Sequence, residues 1–149
     1  MTTLTNAIGA HRSSAEIVHR ANCKDKTVKL LEEFSLPRGL LPVDEIEEFG
    51  FNRSTGFIWW KLKSKKEHKF KRIGKTVVYS PEITAFIEKG HLYKITGVKA
   101  RELFVLAVVC DVLVGKPSAD TIKFTNPVGL SRSHPVSAFE VEDDENGRK

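Results

Sequence analysis

Cysteine is scarce in this chain. Cys23 and Cys110 are the only two among 149 residues, so no disulfide scaffold holds the fold, and the usage fits a reducing compartment. Long hydrophobic runs are also lacking. The most apolar stretch, Leu103 to Val114, contains Asp111 and is shorter than the roughly 20 residues a spanning helix needs. Met1 to Ala10 has no basic start leading into an apolar segment, which gives no sign of a secretory signal. These absences predict an intracellular, cytoplasmic protein with no transmembrane segment. The five histidines (His11, His19, His68, His91, His134) and the cysteines form no C-x-x-C, H-x-x-x-H or H-E-x-x-H spacing, so no metal is expected. Neither a G-x-S-x-G elbow nor a phosphate-cradling glycine loop occurs, so no catalytic residue is assigned and no cofactor is expected.

What is present suits one globular unit. With 40% apolar and 29% charged residues, a chain of this length buries about 68–70% of its unfolded surface in a single domain. The expected organisation is a flexible arm over 1–12, a domain over 13–141 and an acidic disordered tail over 142–149. The net charge of +5 conceals a separation of signs, because residues 1–139 carry 22 bases against 14 acids. Eight of those bases lie between Lys61 and Lys75, with Glu67 the one acid among them, and six acids face Arg38 between Glu32 and Glu48. Such a basic face attracts phosphates or an anionic membrane, or simply solvates the outside of a sheet.

Ser13 and Glu16 have capping-box spacing, and Ile17, Ala21, Val28 and Leu31 recur at helical intervals. One or two N-terminal helices are therefore expected, the firmer from about Asp25 to Phe34. Leu36-Pro37-Arg38-Gly39-Leu40-Leu41-Pro42 ends that helix. Its leucines indicate a loop packed on the core, fastening the helix across one barrel end and serving as a candidate lid over any pocket. Pro42 to Glu47 suggests a short helical turn. From Gly56 onward the period changes to two, with Ile58, Trp60 and Leu62 opposite Trp59 and Lys61. Further strands are expected at His68–Arg72, Thr76–Tyr79, Glu82–Glu88, His91–Thr96, Val98–Val114, Asp120–Thr125 and Val136–Val141. The fold class is mainly β, an antiparallel meander forming a small β-barrel-like domain behind the helices.

Two features of that sheet bear on function. Leu103 to Cys110 is apolar on both faces. It is either a central core strand covered on both sides or part of a wall lining a cavity for an apolar ligand. Trp59 is either an exposed indole among lysines, suited to a base or a lipid interface, or a ring covered by a neighbouring segment. Asp111 marks the emergence of its strand toward solvent or pairs with a lysine, and Cys110 reads as a small buried apolar residue.

Several segments together resemble the plant family called domain of unknown function 538. They are Leu30 to Pro42, Thr55-Gly56-Phe57-Ile58-Trp59, Thr84 to Gly90, and Leu92 to Leu103. The resemblance covers about residues 27 to 115. It implies a β-barrel-like domain preceded by helices, and roles that include lipid or amphiphile binding and a weak esterase-type activity. Many family members carry a signal peptide and a cysteine in the first sheet region. This chain has neither, which is similar to the non-secreted subgroup and leaves a cell-wall substrate without support.

The leading expectation is a non-enzymatic module binding an amphiphile or an anionic membrane surface. Its ligand-binding set comprises Trp59, Trp60, Phe104 and Leu106 as apolar walls and Lys61, Lys63, Lys69 and Lys71 for a head group. An esterase built around Ser80, His68, His91 or Asp111 is the alternative, and nucleic-acid binding through Trp59 and the basic hairpin a further one.

Overall fold

The computed structural model describes residues 8–102 and 105–140. Phe104, most of the 1–12 arm and the 142–149 tail therefore lie outside the described residues. Ten strands form one antiparallel sheet in the order β1-β2-β3-β5-β6-β8-β9-β10, with β4 paired to β5 and β7 to β6. They are β1 (Glu16–His19), β2 (Ile46–Asn52), β3 (Phe57–Leu62), β4 (Lys66–Phe70) and β5 (Lys75–Glu88). After them come β6 (His91–Glu102), β7 (Val105–Val108), β8 (Asp111–Val114), β9 (Thr121–Thr125) and β10 (Ser131–Pro135). The sheet is not closed, since β1 and β10 are not partners. It is a curved, open relative of a barrel. Phe139, in a short 3-10 turn (Val136–Phe139), spans the opening by touching Phe70 of β4 and Phe124 of β9.

Helix α1 (Cys23–Glu33) buries Cys23, Thr27, Leu30 and Leu31, one stripe at helical spacing. Phe34 caps it and Ser35 takes a left-handed φ of 60°. The amides of Leu36 and Ser35 then return to the carbonyls of Leu31 and Glu32, which completes a Schellman stop. Leu36, Leu40 and Leu41 are buried in the core, as expected for a packed-down loop. Gly39 is required there by contact: a Cβ would stand 2.6 Å from the carbonyl oxygens of Phe139 and Glu140. This loop thereby fastens the chain across the inner face.

Several expectations are corrected. Residues 13–19 do not continue a helix. Arg12–Ser14 is a 3-10 turn and Glu16–His19 a strand, because Ile17 and Val18 register on Gly50 and Phe49 along the edge of β2. The segment from Ile46 is that strand β2 rather than a helical turn, with Phe49 and Phe51 buried. β5 is continuous through Pro81, and Val136–Phe139 is a 3-10 turn instead of a strand. Val98–Val114 is not one central strand. It divides among the end of β6, β7 and β8, and β7 pairs with β6 alone, leaving Val105, Leu106 and Val108 exposed. Within the expected arm, Ile8 is buried and Arg12 donates to Glu48.

Candidate functional site

Alternation in β3 sorts its side chains as the sequence indicates. Ile58, Trp60 and Leu62 enter the main core, while Phe57 and Trp59 form a second cluster with Ile8 on the outer face. Trp59 is 0% exposed, which corrects the exposed-indole reading. The covering residues are Ile8, Ala15 and Ile17. Its Nε1 donates to Glu48 Oε2 at 2.8 Å, and Arg12 donates to both oxygens of that carboxylate at 2.7 and 3.0 Å. The Arg12 hydrogen bonds, then that from Trp59, hold the Glu48 carboxyl at about 2 against the opposing effect of burial.

The inner face encloses a cavity of about 320 Å³, at the lower end of the ~300–1,000 Å³ typical of small-molecule sites. Trp60, Ile83, Leu92, Ile95 and Val112 line it from the sheet, and Leu40 and Phe139 cover it from the opposite side. Trp60 is fixed by a hydrogen bond from its Nε1 to Thr27 Oγ1 at 3.0 Å, and that hydroxyl donates on to the Cys23 carbonyl at 2.7 Å. The Tyr79 hydroxyl donates to the Leu40 carbonyl at 3.1 Å, and burial pushes its pKa up. The polar atoms of Trp60 and Tyr79 are thus satisfied, and the lumen beside them is apolar. Polar side chains (Lys75, Asn126, Ser131 and Arg132) join the lining where β5 starts and where β9 gives way to β10.

The predicted ligand-binding residues separate into groups. Trp60 lines the cavity. Trp59 lies on the other face of the sheet. Leu106 is exposed on β7, beside the cavity-lining Ala107. Lys61 lies opposite Glu48, and Lys63 shares a shallow polar hollow with Asp44, Glu45 and Glu47. Lys69 and Lys71 are exposed at the far end of β4, next to Phe70 of the lining. Leu40 and Leu41 come from the loop read as a candidate lid, and Phe70, Phe124, Leu130 and Phe139 are lining residues that the sequence reading did not select.

His91 is engaged by two carboxylates. Its Nε2 stands 2.8 Å from Asp111 Oδ1 and its Nδ1 3.1 Å from Glu88 Oε2, so Asp111 pairs with a histidine and not a lysine. A neutral imidazole donates one hydrogen bond and an imidazolium two. Burial lowers the His91 pKa, but the hydrogen bonds to Asp111 and Glu88 outweigh it and the net shift is upward. Neither ring nitrogen is left to activate a serine. Because the folded pKa lies above the ordinary 6.5, His91 stabilises the fold fully below that pH and loses its contribution as pH rises through the raised value. Urea melts of the His91→Gln variant should differ most from the native protein at pH below 6.5 and converge with it at high pH. A constant difference across pH would contradict this.

Among the described residues, no three His, Cys, Asp or Glu side chains are placed to hold a metal ion, and no helix is long and apolar enough to cross a membrane. No curated protein and no solved structure matches the chain. The model of the family described as "Protein of unknown function, DUF538" matches residues 27–140. That span runs from α1 through the last 3-10 turn and takes in the cavity and its cover, and the chain belongs to this family.

Proposed function

We propose that this protein is a non-enzymatic binding module that takes the apolar tail of a small amphiphile into the cavity. The observation that carries this reading is a largely apolar lumen of about 320 Å³ with Lys75, Asn126, Ser131 and Arg132 near one end. A tail placed among Trp60, Ile83, Leu92 and Val112 leaves water for apolar surface, and each buried methylene contributes about 0.8 kcal/mol. An acidic or phosphate head then rests near Lys75 and Arg132. The volume suits one chain better than several.

The test is titration with a fluorescent fatty acid, together with native mass spectrometry of the delipidated protein. One equivalent should bind and be displaced by unlabelled fatty acid. Ala107 lines the cavity and is only half-buried, so the Ala107→Phe variant fills space without crowding a sealed core. Uptake should weaken at least tenfold, equivalent to the loss of about 1.4 kcal/mol of binding, with thermal stability close to native. Binding that is unchanged in this variant, or absent from the native protein, would reject the proposal.

A further inference from the structure

The ladders bring distinct hairpin ends to the polar end of the cavity. In β6, Ala100 pairs with Val77 of β5 on one side and with Ala107 of β7 on the other. The outer end of the β6–β7 hairpin, where Glu102 faces Val105, therefore lies beside the turn between β4 and β5. Thr125 of β9 pairs with Asp111, and its carbonyl accepts the Cys110 amide. This sends the β9–β10 turn, residues 126–130, toward the same end. All three hairpins contribute cavity-lining residues (Ile73 and Lys75, Ala107 and Val108, Asn126 and Leu130), so they border the same end of the cavity.

The exposed residues of β7 and of the β9–β10 turn are apolar. Val128 is 80% exposed, Leu130 69% and Val105 64%, and Leu106 and Val108 complete the exposed large hydrophobic residues of the described chain. All of them belong to the β6–β7 and β9–β10 hairpins. Scattered exposed leucines and valines are ordinary, but collecting every one around a single cavity mouth is not. Cations flank them. Lys69, Lys71 and Arg72 occupy the neighbouring β4–β5 end, and Lys99 and Arg101 face Val108 and Leu106 across the β6–β7 ladder. Glu67, which pairs with Arg101, and, by register, Glu102 are acids of the described residues at this end.

The geometry points to a membrane-docking face: the exposed residues of β7 and of the β9–β10 turn enter the apolar edge of an anionic bilayer and set the cavity mouth against it. The occupant is a lipid surface because the charge pattern fits one. Apolar residues within a cationic collar match acyl chains beneath anionic head groups, each basic residue near such a surface adding about 1 kcal/mol. Neither Trp59 nor the Lys61–Lys63 end takes part. The role given to the mouth rests on the amphiphile reading above, since a tail then passes between bilayer and cavity without crossing water. Docking itself is measured separately.

Leu106 and Val128 are outside the cavity lining, and exposed substitutions of this kind usually change stability by under about 0.5 kcal/mol. The Leu106→Asp, Val128→Asp double variant is compared with the native chain by flotation with phosphatidylcholine vesicles containing phosphatidylserine. Fatty-acid uptake is measured in parallel without vesicles. Vesicle affinity should fall at least about tenfold, uptake should stay native, and added salt should weaken the native interaction. A Val128→Trp variant should be quenched by brominated lipid beyond the native signal. Native-like flotation of the double variant, no flotation of the native chain at low salt, or an unquenched tryptophan would overturn the docking face. A native dimer that the double variant abolishes, with no vesicle binding by either, would assign these exposed residues to contact between copies and also overturn it. Failure of uptake with flotation intact would sink the amphiphile reading alone.

Discussion

Replacing Glu48 with alanine is expected to lower the unfolding free energy by about 3 kcal/mol. Glu48 is 8% exposed, and its carboxylate accepts hydrogen bonds from the Arg12 guanidinium and from the Trp59 indole. In the alanine variant the Trp59 N–H stays buried without that acceptor, a loss of about 1–3 kcal/mol on its own. The indole cannot turn away to find water, since it lies over Gly50, where even a Cβ would come within 2.1 Å of its ring. Arg12 is half exposed, so water restores much of what its guanidinium loses. Its release has another consequence, because Arg12 ties the N-terminal segment over the Phe57–Trp59 cluster. The Glu48→Gln variant separates these contributions. Its amide oxygen can still accept from Trp59, so a loss of about 1 kcal/mol is expected.

The same group predicts an acid dependence. The folded carboxyl titrates at about 2 against an ordinary 4.5, so its stabilisation is complete above the ordinary value and disappears as pH falls toward the folded one. Urea melts between those limits should show the native protein losing its advantage over the Glu48→Gln variant. Equal stabilities of the native protein and the Glu48→Ala variant at neutral pH would show that the N-terminal cover does not depend on this carboxylate.

The sheet was legible where alternation met an ordinary two-sided environment. Ile58, Trp60 and Leu62 face inward as their spacing predicts, and β4, the start of β6 and β9 follow their β-rich stretches. The family motif and the period agree on that part of the chain. Local signals misled where tertiary pairing decides. Ser13 and Glu16 have the spacing of a capping box, yet the open edge of β2 offers Glu16–His19 a ladder, and Ile17 and Val18 suit a strand as β-branched residues. The strand at Ile46–Asn52 carried a period-two signal in Phe49 and Phe51, masked by the acids at 45, 47 and 48.

The candidate site was legible only in part, for a different reason. Apolar sequence around Val105 to Val109 specifies a preference for leaving water and does not name the cover. A central strand satisfies that preference within the fold, whereas β7 leaves Val105, Leu106 and Val108 outside. The distinction depends on the register between β6 and β7, a property of the assembled sheet. Trp60 faces inward as its spacing predicts, but the cavity beside it depends on Leu40, Phe70 and Phe139 from distant segments. No period in the sequence links those positions.

Gly97→Ala should be the second severe substitution, costing about 3 kcal/mol or more. Between Tyr79 and Thr84 the partner residues on β6 move only from Val98 to Thr96, so β5 carries extra residues and bends there. β4 pairs with β5 before this bend and β3 after it, which curves the sheet around the cavity. Gly97 stands opposite the bend with φ of 85°, and a Cβ at this position would lie 2.4 Å from the Glu82 carbonyl oxygen. Both partners in that clash belong to backbone, so no side-chain rotamer relieves it. A left-handed alanine adds roughly 1–2 kcal/mol. If the chain relaxes by opening the bend, the adjoining hydrogen bonds between Thr84 and Thr96 lengthen and the cavity walls Ile95 and Val98 move outward. Urea melts should therefore show the stability loss, and fatty-acid uptake measured below the melting transition should weaken in the same variant. A stability change under about 1 kcal/mol would mean that the curvature has another source, and the shape of the cavity would then not depend on this contact.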